Sequence, residues 1–208
     1  MQTLNDLLKS ALSENNMTVS APVEEALIQY LNLLKTWNHA FNLTAITEPR
    51  DMVYLHLIDS LAAAPFIKNT HCLDVGSGAG LPGIPLALTH PEQQWVTIDK
   101  SSKKMRFITQ VIAELKLTNL QAVANRVEDF HPSEKFNTII SRAYGTLRLF
   151  IESTAHLLNS DGIFIAMKGK YPQDELDHLP AGFQVKSVTP IQLKGLEVER
   201  HIIIMQRK

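Results

Sequence analysis

An apolar, strand-like run, Cys72-Leu73-Asp74-Val75, stops at three glycines spaced by two: Gly76, Gly78 and Gly80. Leu81-Pro82-Gly83-Ile84-Pro85 follows at once. Glycines at the carboxyl end of a strand remove the Cβ that keeps backbone away from a ligand, and they admit left-handed turns. Open α/β sheets bind nucleotides at such ends, so this one stretch constrains both the architecture and the place of its ligand. Pro82 suits the first turn of the helix that should come next, where its missing N–H would have no partner anyway.

The spacing also narrows the ligand. A dinucleotide loop reads G-x-G-x-x-G directly after the strand. Counted from Gly76, the third glycine falls on Leu81; a matching frame of Gly78, Gly80 and Gly83 begins two residues late. Asp74 lies two residues before Gly76. A carboxylate there repels a pyrophosphate but attracts a cofactor that carries an ammonium and a sulfonium. S-adenosylmethionine is such a cofactor, and D-x-G-x-G-x-G resembles the first motif of methyltransferases that use it. An ordinary strand–turn–helix corner rarely needs three glycines and an acid.

The rest of the chain fits a sheet of that kind. Residues 1–70 read as a helical extension: Leu4, Leu7, Leu8, Ala11 and Leu12 recur at helical spacing, as do Leu27, Tyr30, Leu31, Leu34 and Trp37. Pro22 marks one helix start, and a third helix is expected after Thr47 with Pro49 in its first turn. His56 and Asp59 stand three apart in it and are expected to pair locally. Residues 71–208 then alternate, with strands predicted at 72–75, 95–98, 120–124, 137–141 and 162–167 and helices at 83–89, 102–116 and 146–157. Alternation means βαβ units and a mostly parallel sheet. Gln184 to Val188 and Arg200 to Met205 are strands without a helix between them, which predicts an antiparallel closing edge. The fold class is therefore α/β, a Rossmann-like, mostly parallel sheet of seven strands with a helical extension.

The second strand ends at Asp99, close to the usual interval for an acid that takes ribose hydroxyls. Cations gather near the same rim. Lys100, Lys103, Lys104 and Arg106 follow Asp99, while Arg126, Arg142, Lys168 and Lys170 fall at or near strand ends. Such a grouping suits a polyanionic substrate held through phosphates; for 100–106 a solvated helix start is the competing reading. His39 and Asn42, among the aromatics of Trp37-Asn38-His39-Ala40-Phe41-Asn42, serve either as helix-end residues or as RNA contacts. The fourth strand ends in Ser141-Arg142-Ala143, without the acid or amide followed by Pro-Pro and an aromatic that exocyclic-amine methylation uses. Cys72, inside a strand, is no cytosine nucleophile. Guanine N7 remains, a lone pair with no proton to remove, for which alignment is the main requirement. Arg142 is the residue expected to meet cofactor and substrate.

Composition sets outer limits. The chain has 208 residues, 45% apolar and 20% charged, with a net charge of −1 that excludes a globally basic binder. Its single cysteine permits no internal disulfide and fits a reducing compartment. The eight histidines show no ligand spacing, so no metal is expected. Neither a leader segment nor a long apolar span is expected, which points to a cytoplasmic protein away from membranes.

Seven segments together resemble one family over nearly the whole chain: W-N-H-A-F-N-L-T (37–44), H-x-x-D-S (56–60), D-V-G-S-G-A-G-L-P-G-I-P-L (74–86), K-K-x-R-F (103–107), R-V-E (126–128), S-R-A (141–143) and M-K-G (167–169). This is the glucose-inhibited division protein B family, the guanine-N7 methyltransferases of bacterial small-subunit ribosomal RNA. The glycine motif alone is widely shared; its L-P-G-I-P continuation with S-R-A and M-K-G is far more specific. The resemblance implies cofactor contacts at Gly76 and Leu81, at the Val127-Glu128 backbone and at Arg142; the loop and the strand end themselves add Asp74, Gly78, Gly80 and Asp99 as expected cofactor residues. It also implies catalytic roles for Arg126 and Arg142 near the methyl-transfer site and an RNA contact at Lys168; His39, Asn42, Lys100, Lys103, Lys104 and Arg106 are the RNA contacts expected from the residues themselves. The implied partner is 16S RNA in the small subunit or its assembly intermediate, acted on by a monomer. An NAD(P)-dependent oxidoreductase using the Gly78 frame, or a non-catalytic RNA-binding assembly factor, are the other readings of these residues.

Overall fold

A computed structural model describes residues 3–67 and 70–208. Met1 and Gln2 of the expected extension, and Lys68 and Asn69 close to its expected end, lie outside the described residues. Seven strands form one sheet in the order β3-β2-β1-β4-β5-β7-β6. They are β1 His71–Val75, β2 Gln94–Asp99, β3 Leu120–Ala124, β4 Phe136–Arg142, β5 Leu158–Lys168, β6 Phe183–Pro190 and β7 His201–Arg207. The first five run parallel, and β7 enters antiparallel between β5 and β6. The closing edge is thus antiparallel, as its helix-free connection predicts. Lys168 pairs with His201, and His201 with Pro190, so the connection 191–200 leaves from the rim where the parallel strands end.

Strand alternation sorts the core into two faces. Leu73, Val75, Ile139 and Phe164 pack on one side, with Leu147, Phe150 and Ile151 of the helix Leu147–Thr154. Cys72, Ile140 and Ile165 pack on the other, in one continuous cluster with Leu8, Leu27, Leu31, Leu34 and Leu57 of the helical extension. The helical extension therefore shares the cover of one sheet face with the helices Gly83–Thr89 and Ser102–Glu114, whose Ile84, Leu86, Phe107 and Ile108 belong to the same cluster.

Local chemistry explains the extension's helices. The first, α1 (Leu4–Glu14), opens on a capping box: Thr3 Oγ1 accepts the Asp6 N–H at 3.1 Å and Thr3 N–H donates to Asp6 Oδ2 at 3.2 Å. The second, α2 (Ala21–Phe41), has proline in its first turn and ends on Asn42 with φ 48°, a left-handed terminus that asparagine tolerates. The third starts at Pro49, as expected, but Met52–Ile58 is wound as a π-helix before Asp59–Leu61 closes it. Apolar periodicity does not reveal a π segment. Single wide turns of this kind are found where side chains must be re-aimed, and here His56 and Asp59 are both 3% exposed. Pro82 stands just before the helix Gly83–Thr89 rather than inside its first turn, and the Leu81–Pro82 bond is cis.

Candidate functional site: a glycine-bordered crevice

The carboxyl ends of β1, β2 and β4, with the turn after β3, border a crevice of about 380 Å³. Gly76, Asp99, Lys100, Lys104, Arg126 and Glu128 bring its polar groups, and Val75, Ile98, Val127 and Leu149 its apolar walls. Gly76, Gly78 and Gly80 all have positive φ, at 67°, 58° and 93°. Gly76 N–H donates to Ile98 O at 2.9 Å, holding the start of the loop against β2. A Cβ on Gly76 would fall 2.8 Å from Tyr144 Cδ2, so the absent side chain admits the tyrosine ring beside the loop. Asp99 closes the other side: its Oδ2 accepts the Gly78 N–H at 3.1 Å and its Oδ1 the Ser101 N–H at 2.9 Å, with Lys104 Nζ 3.8 Å away.

Asp74 takes a different place from the one expected. As the neighbour of Leu73 and Val75 it projects to the extension face, is wholly buried, and its Oδ2 accepts the Gly83 N–H at 2.8 Å. Burial pushes its carboxyl up to about 7, against the smaller opposing effects of the Gly83 N–H and the Arg142 charge. It braces the loop from below rather than lining the crevice, and Leu81 is likewise buried. Gly80 packs where a Cβ would lie 2.2 Å from Ile84 Cδ1, a support position too.

The cations divide into three groups. Lys100, Lys104 and Arg126 line the crevice. Lys103 is committed to the Phe41 carbonyl at 2.8 Å, with Arg106 over the Phe41 ring at 5.8 Å, so this pair ties α2 to the helix Ser102–Glu114. Lys168 is gripped by both Glu175 carboxylate oxygens, at 2.8 and 2.9 Å, and by Gly145 O, which contradicts an open cation at that rim. Val127 and Glu128 lie in the crevice as expected. His39 and Asn42 line a separate polar cavity of about 280 Å³ with Asn38 and Thr44.

Arg142 shows why strand parity matters. Two residues beyond Ile140, it turns to the extension face, where Nη1 donates to Leu55 O at 2.7 Å and to Asp59 Oδ2 at 2.9 Å. Asp59 also accepts Arg200 Nε at 2.6 Å. The expected His56–Asp59 pair is therefore absent among the described residues: His56 Nε2 meets Thr44 Oγ1 at 3.2 Å instead. Burial, then the nearby Arg142 charge, brings the His56 ring down to about 4. Sequence reasoning missed Asn125, Tyr144 and Arg200. Tyr144 carried a readable signal, an aromatic two residues past a strand end, and Asn125 directly follows β3 and bonds locally to Arg126 N–H and Asp129 O; Arg200 is placed by Asp59, a contact distant in sequence.

Relatives decide between the readings these contacts leave open. Residues 23–203 match the family model described as rRNA small subunit methyltransferase G. The chain belongs to the rRNA small subunit methyltransferase G family. A curated member from Pseudomonas fluorescens is 49% identical over 183 residues, covering 88% of this chain and 86% of its own. One from Vibrio vulnificus is 40% identical over 209 residues, covering 100% and 99%. Among solved structures, the glycopeptide N-methyltransferase MtfA complexed with S-adenosyl-L-homocysteine superposes with a TM-score of 0.60 at 13% identity, over 74% of this chain and 87% of that one. TrmN from Thermus thermophilus gives 0.58 at 15%, over 84% and 53%. These two show a shared fold alone, the mostly parallel seven-stranded sheet with its antiparallel edge. The family uses S-adenosylmethionine, and neither the oxidoreductase nor the non-catalytic reading finds support among the relatives. No helix among the described residues is long and apolar enough to cross a membrane.

Proposed function

We propose that this chain transfers the methyl group of S-adenosylmethionine to N7 of one guanine in 16S RNA, position 527 of that RNA in the family pattern, within the small subunit or its cytoplasmic assembly intermediate. The observation that carries the reading is a crevice with cations and, among the described residues, no histidine in its lining. Its carboxylates are Asp99, occupied by two backbone N–H groups, and exposed Glu128. His56 lies on the other face and is held neutral by burial. Guanine N7 carries an in-plane lone pair and no proton, so the protein's task is to align it, exclude water and balance charge.

The residues present fit the cofactor. Asp99 at the end of β2 is assigned to the ribose hydroxyls, and Val75, Ile98, Val127 and Leu149, which line the crevice, to the walls around a purine. When bound, S-adenosylmethionine supplies an electrophilic methyl group on a sulfonium centre. Arg126, exposed on the crevice wall, is assigned to the phosphate or O6 side of the guanine, and Arg142 to fixing the wall between cofactor and base.

The test is single-turnover methyl transfer on small subunits lacking the modification, followed by mapping of N7-methylguanine. Wild-type protein is expected to modify one guanine, and Arg142→Ala to lose most of the rate while staying folded. Arg142→Lys is expected to recover only part, because a point charge does not reproduce a planar, multidentate grip. The rate is expected to be flat from pH 6 to 8. A log-linear rise with pH, or methyl appearing on another atom, overturns the proposal.

A further inference from the structure

The Arg142–Asp59–Arg200 cluster brings three segments together from sites 83 and 141 residues apart. One carboxylate, with 4% of its side chain exposed, takes Nη1 of Arg142 on Oδ2 and Nε of Arg200 on Oδ1. The two arginines keep 20% and 23% of their side chains exposed. Remaining contacts are few: Arg142 Nη1 also meets Leu55 O, and Arg200 Nη1 meets Glu199 O at 2.9 Å. Nη2 of each guanidinium has no hydrogen-bond partner among the described residues.

Charge does not balance in this arrangement. A strut between the third helix and β4 needs only one arginine opposite Asp59. The second brings an additional cation into a half-closed place, where desolvation is costly unless an anion joins it. The other carboxyl that acts on Arg142, the buried Asp74, is pushed up to about 7 by burial and so brings less than a full negative charge at neutral pH. Position then narrows the anion. Arg200 immediately precedes β7, opposite Gly169, on the rim shared by the ends of β4 and β5. The cluster lies on the extension face, whereas the crevice is walled by Val75, Ile98 and Val127 from the opposite face.

We infer that Asp59 is a positioning residue that joins Arg142 and Arg200 into a paired-guanidinium clamp for one backbone phosphate of the RNA, an inference resting on the proposed function. Guanidinium forks match phosphate oxygens bidentately. The clamp holds the strand beside the target guanine and so sets its approach to the crevice. An oxyanion is the shared chemistry; the carboxylate of the cofactor is the other source of one, and the experiment separates the two.

Binding of a 16S RNA fragment is measured against salt, with S-adenosylmethionine affinity measured by calorimetry, for wild type, Arg200→Gln, Arg200→Lys and Asp59→Asn. Arg200→Gln is expected to reduce the log–log salt slope by about 0.7–0.9, one phosphate contact, and Arg200→Lys to keep the slope. Asp59→Asn retains both cations, so its slope is expected to stay while KM for small subunits rises about tenfold or more and kcat changes less. Cofactor affinity is expected to stay at the wild-type value throughout. A lowered Tm with an unchanged slope in Arg200→Gln reduces the cluster to a strut and overturns the clamp. Lost cofactor affinity with an unchanged slope assigns the oxyanion to the cofactor and overturns it equally. Wild-type methylation of small subunits, run in parallel, reports on the proposed function separately: if it succeeds while the slope is unmoved, only the clamp falls. If Arg200→Gln does not fold, the retained slope and raised KM of Asp59→Asn decide in favour, and an unchanged KM decides against.

Discussion

Asp74 Oδ2 receives the Gly83 N–H at 2.8 Å while its Oδ1 is buried without a partner among the described residues. The contact needs a glycine, because a Cβ on Gly83 would lie 2.8 Å from that same oxygen and 2.7 Å from Thr97 Cγ2. Burial raises the carboxyl from 3.8 to about 7. The native state therefore binds a proton that the unfolded chain has released, and Asp74 favours folding below about pH 4, an advantage lost as pH rises through about 7. Asp74→Asn keeps an oxygen for Gly83 and is expected to flatten that loss. The check is Tm from pH 4.5 to 8: the variant should gain on wild type as pH rises, by several degrees at the alkaline end.

His56 is expected to act with the opposite sign. Its ring falls from 6.5 to about 4 on burial, so the unfolded chain takes up the proton first. Stability contributed by the neutral ring is present above about pH 6.5 and lost as pH falls toward about 4. Carbon-bound proton shifts of the imidazole are expected to show no titration between pH 7 and 5, and a midpoint near the ordinary histidine value would overturn the assignment.

Gly76→Ala is expected to weaken cofactor binding while leaving the chain folded. The added methyl meets the Tyr144 ring and the residue must hold φ 67°, a backbone cost of about 1–2 kcal/mol before any displacement of the ring. Gly182→Ala is the comparison, with φ 85° and nothing within 4 Å of the new Cβ. Calorimetry should show a loss of stability in both, larger for Gly76→Ala by the displacement of the ring, with reduced cofactor affinity for Gly76→Ala alone.

The lysines after Asp99 are expected to separate by role. Lys100→Glu changes an exposed crevice charge and should lower the salt slope of RNA binding by about 0.7–0.9. Lys103→Ala instead removes the bond to Phe41 O and should lower Tm by a few degrees with a smaller effect on that slope. Equal slopes for the two variants would erase the distinction.

Much of the fold was legible because its signals are local. Three glycines after an apolar run located β1 and its loop, and alternating periods located the five parallel strands within one to four residues. Asp99, Val127 and Glu128 reached the crevice because a parallel sheet brings consecutive strand ends to one rim. What stayed hidden depends on direction and distance. Asp74 and Arg142 lie at the right ends of the right strands, yet both face the extension, and alternation from Cys72 and Ile140 is the clue that tells this. The π segment has no apolar signature of its own. Lys168 carries a charge that suggests RNA, and only the fold brings Glu175 against it.

The helical cover of one sheet face sets how this molecule comes apart. Cys72, Ile140 and Ile165 share one cluster with Leu27, Leu31 and Leu57 of the extension and with Ile84, Leu86, Phe107 and Ile108 of the helices Gly83–Thr89 and Ser102–Glu114. A chain trimmed to 71–208 would keep those two helices but bare the apolar side chains that the extension covers, so the cut that looks clean in sequence runs through one continuous cluster. The portion that names the cofactor is expected to lose stability without the extension, and heat is expected to melt both in a single calorimetric peak.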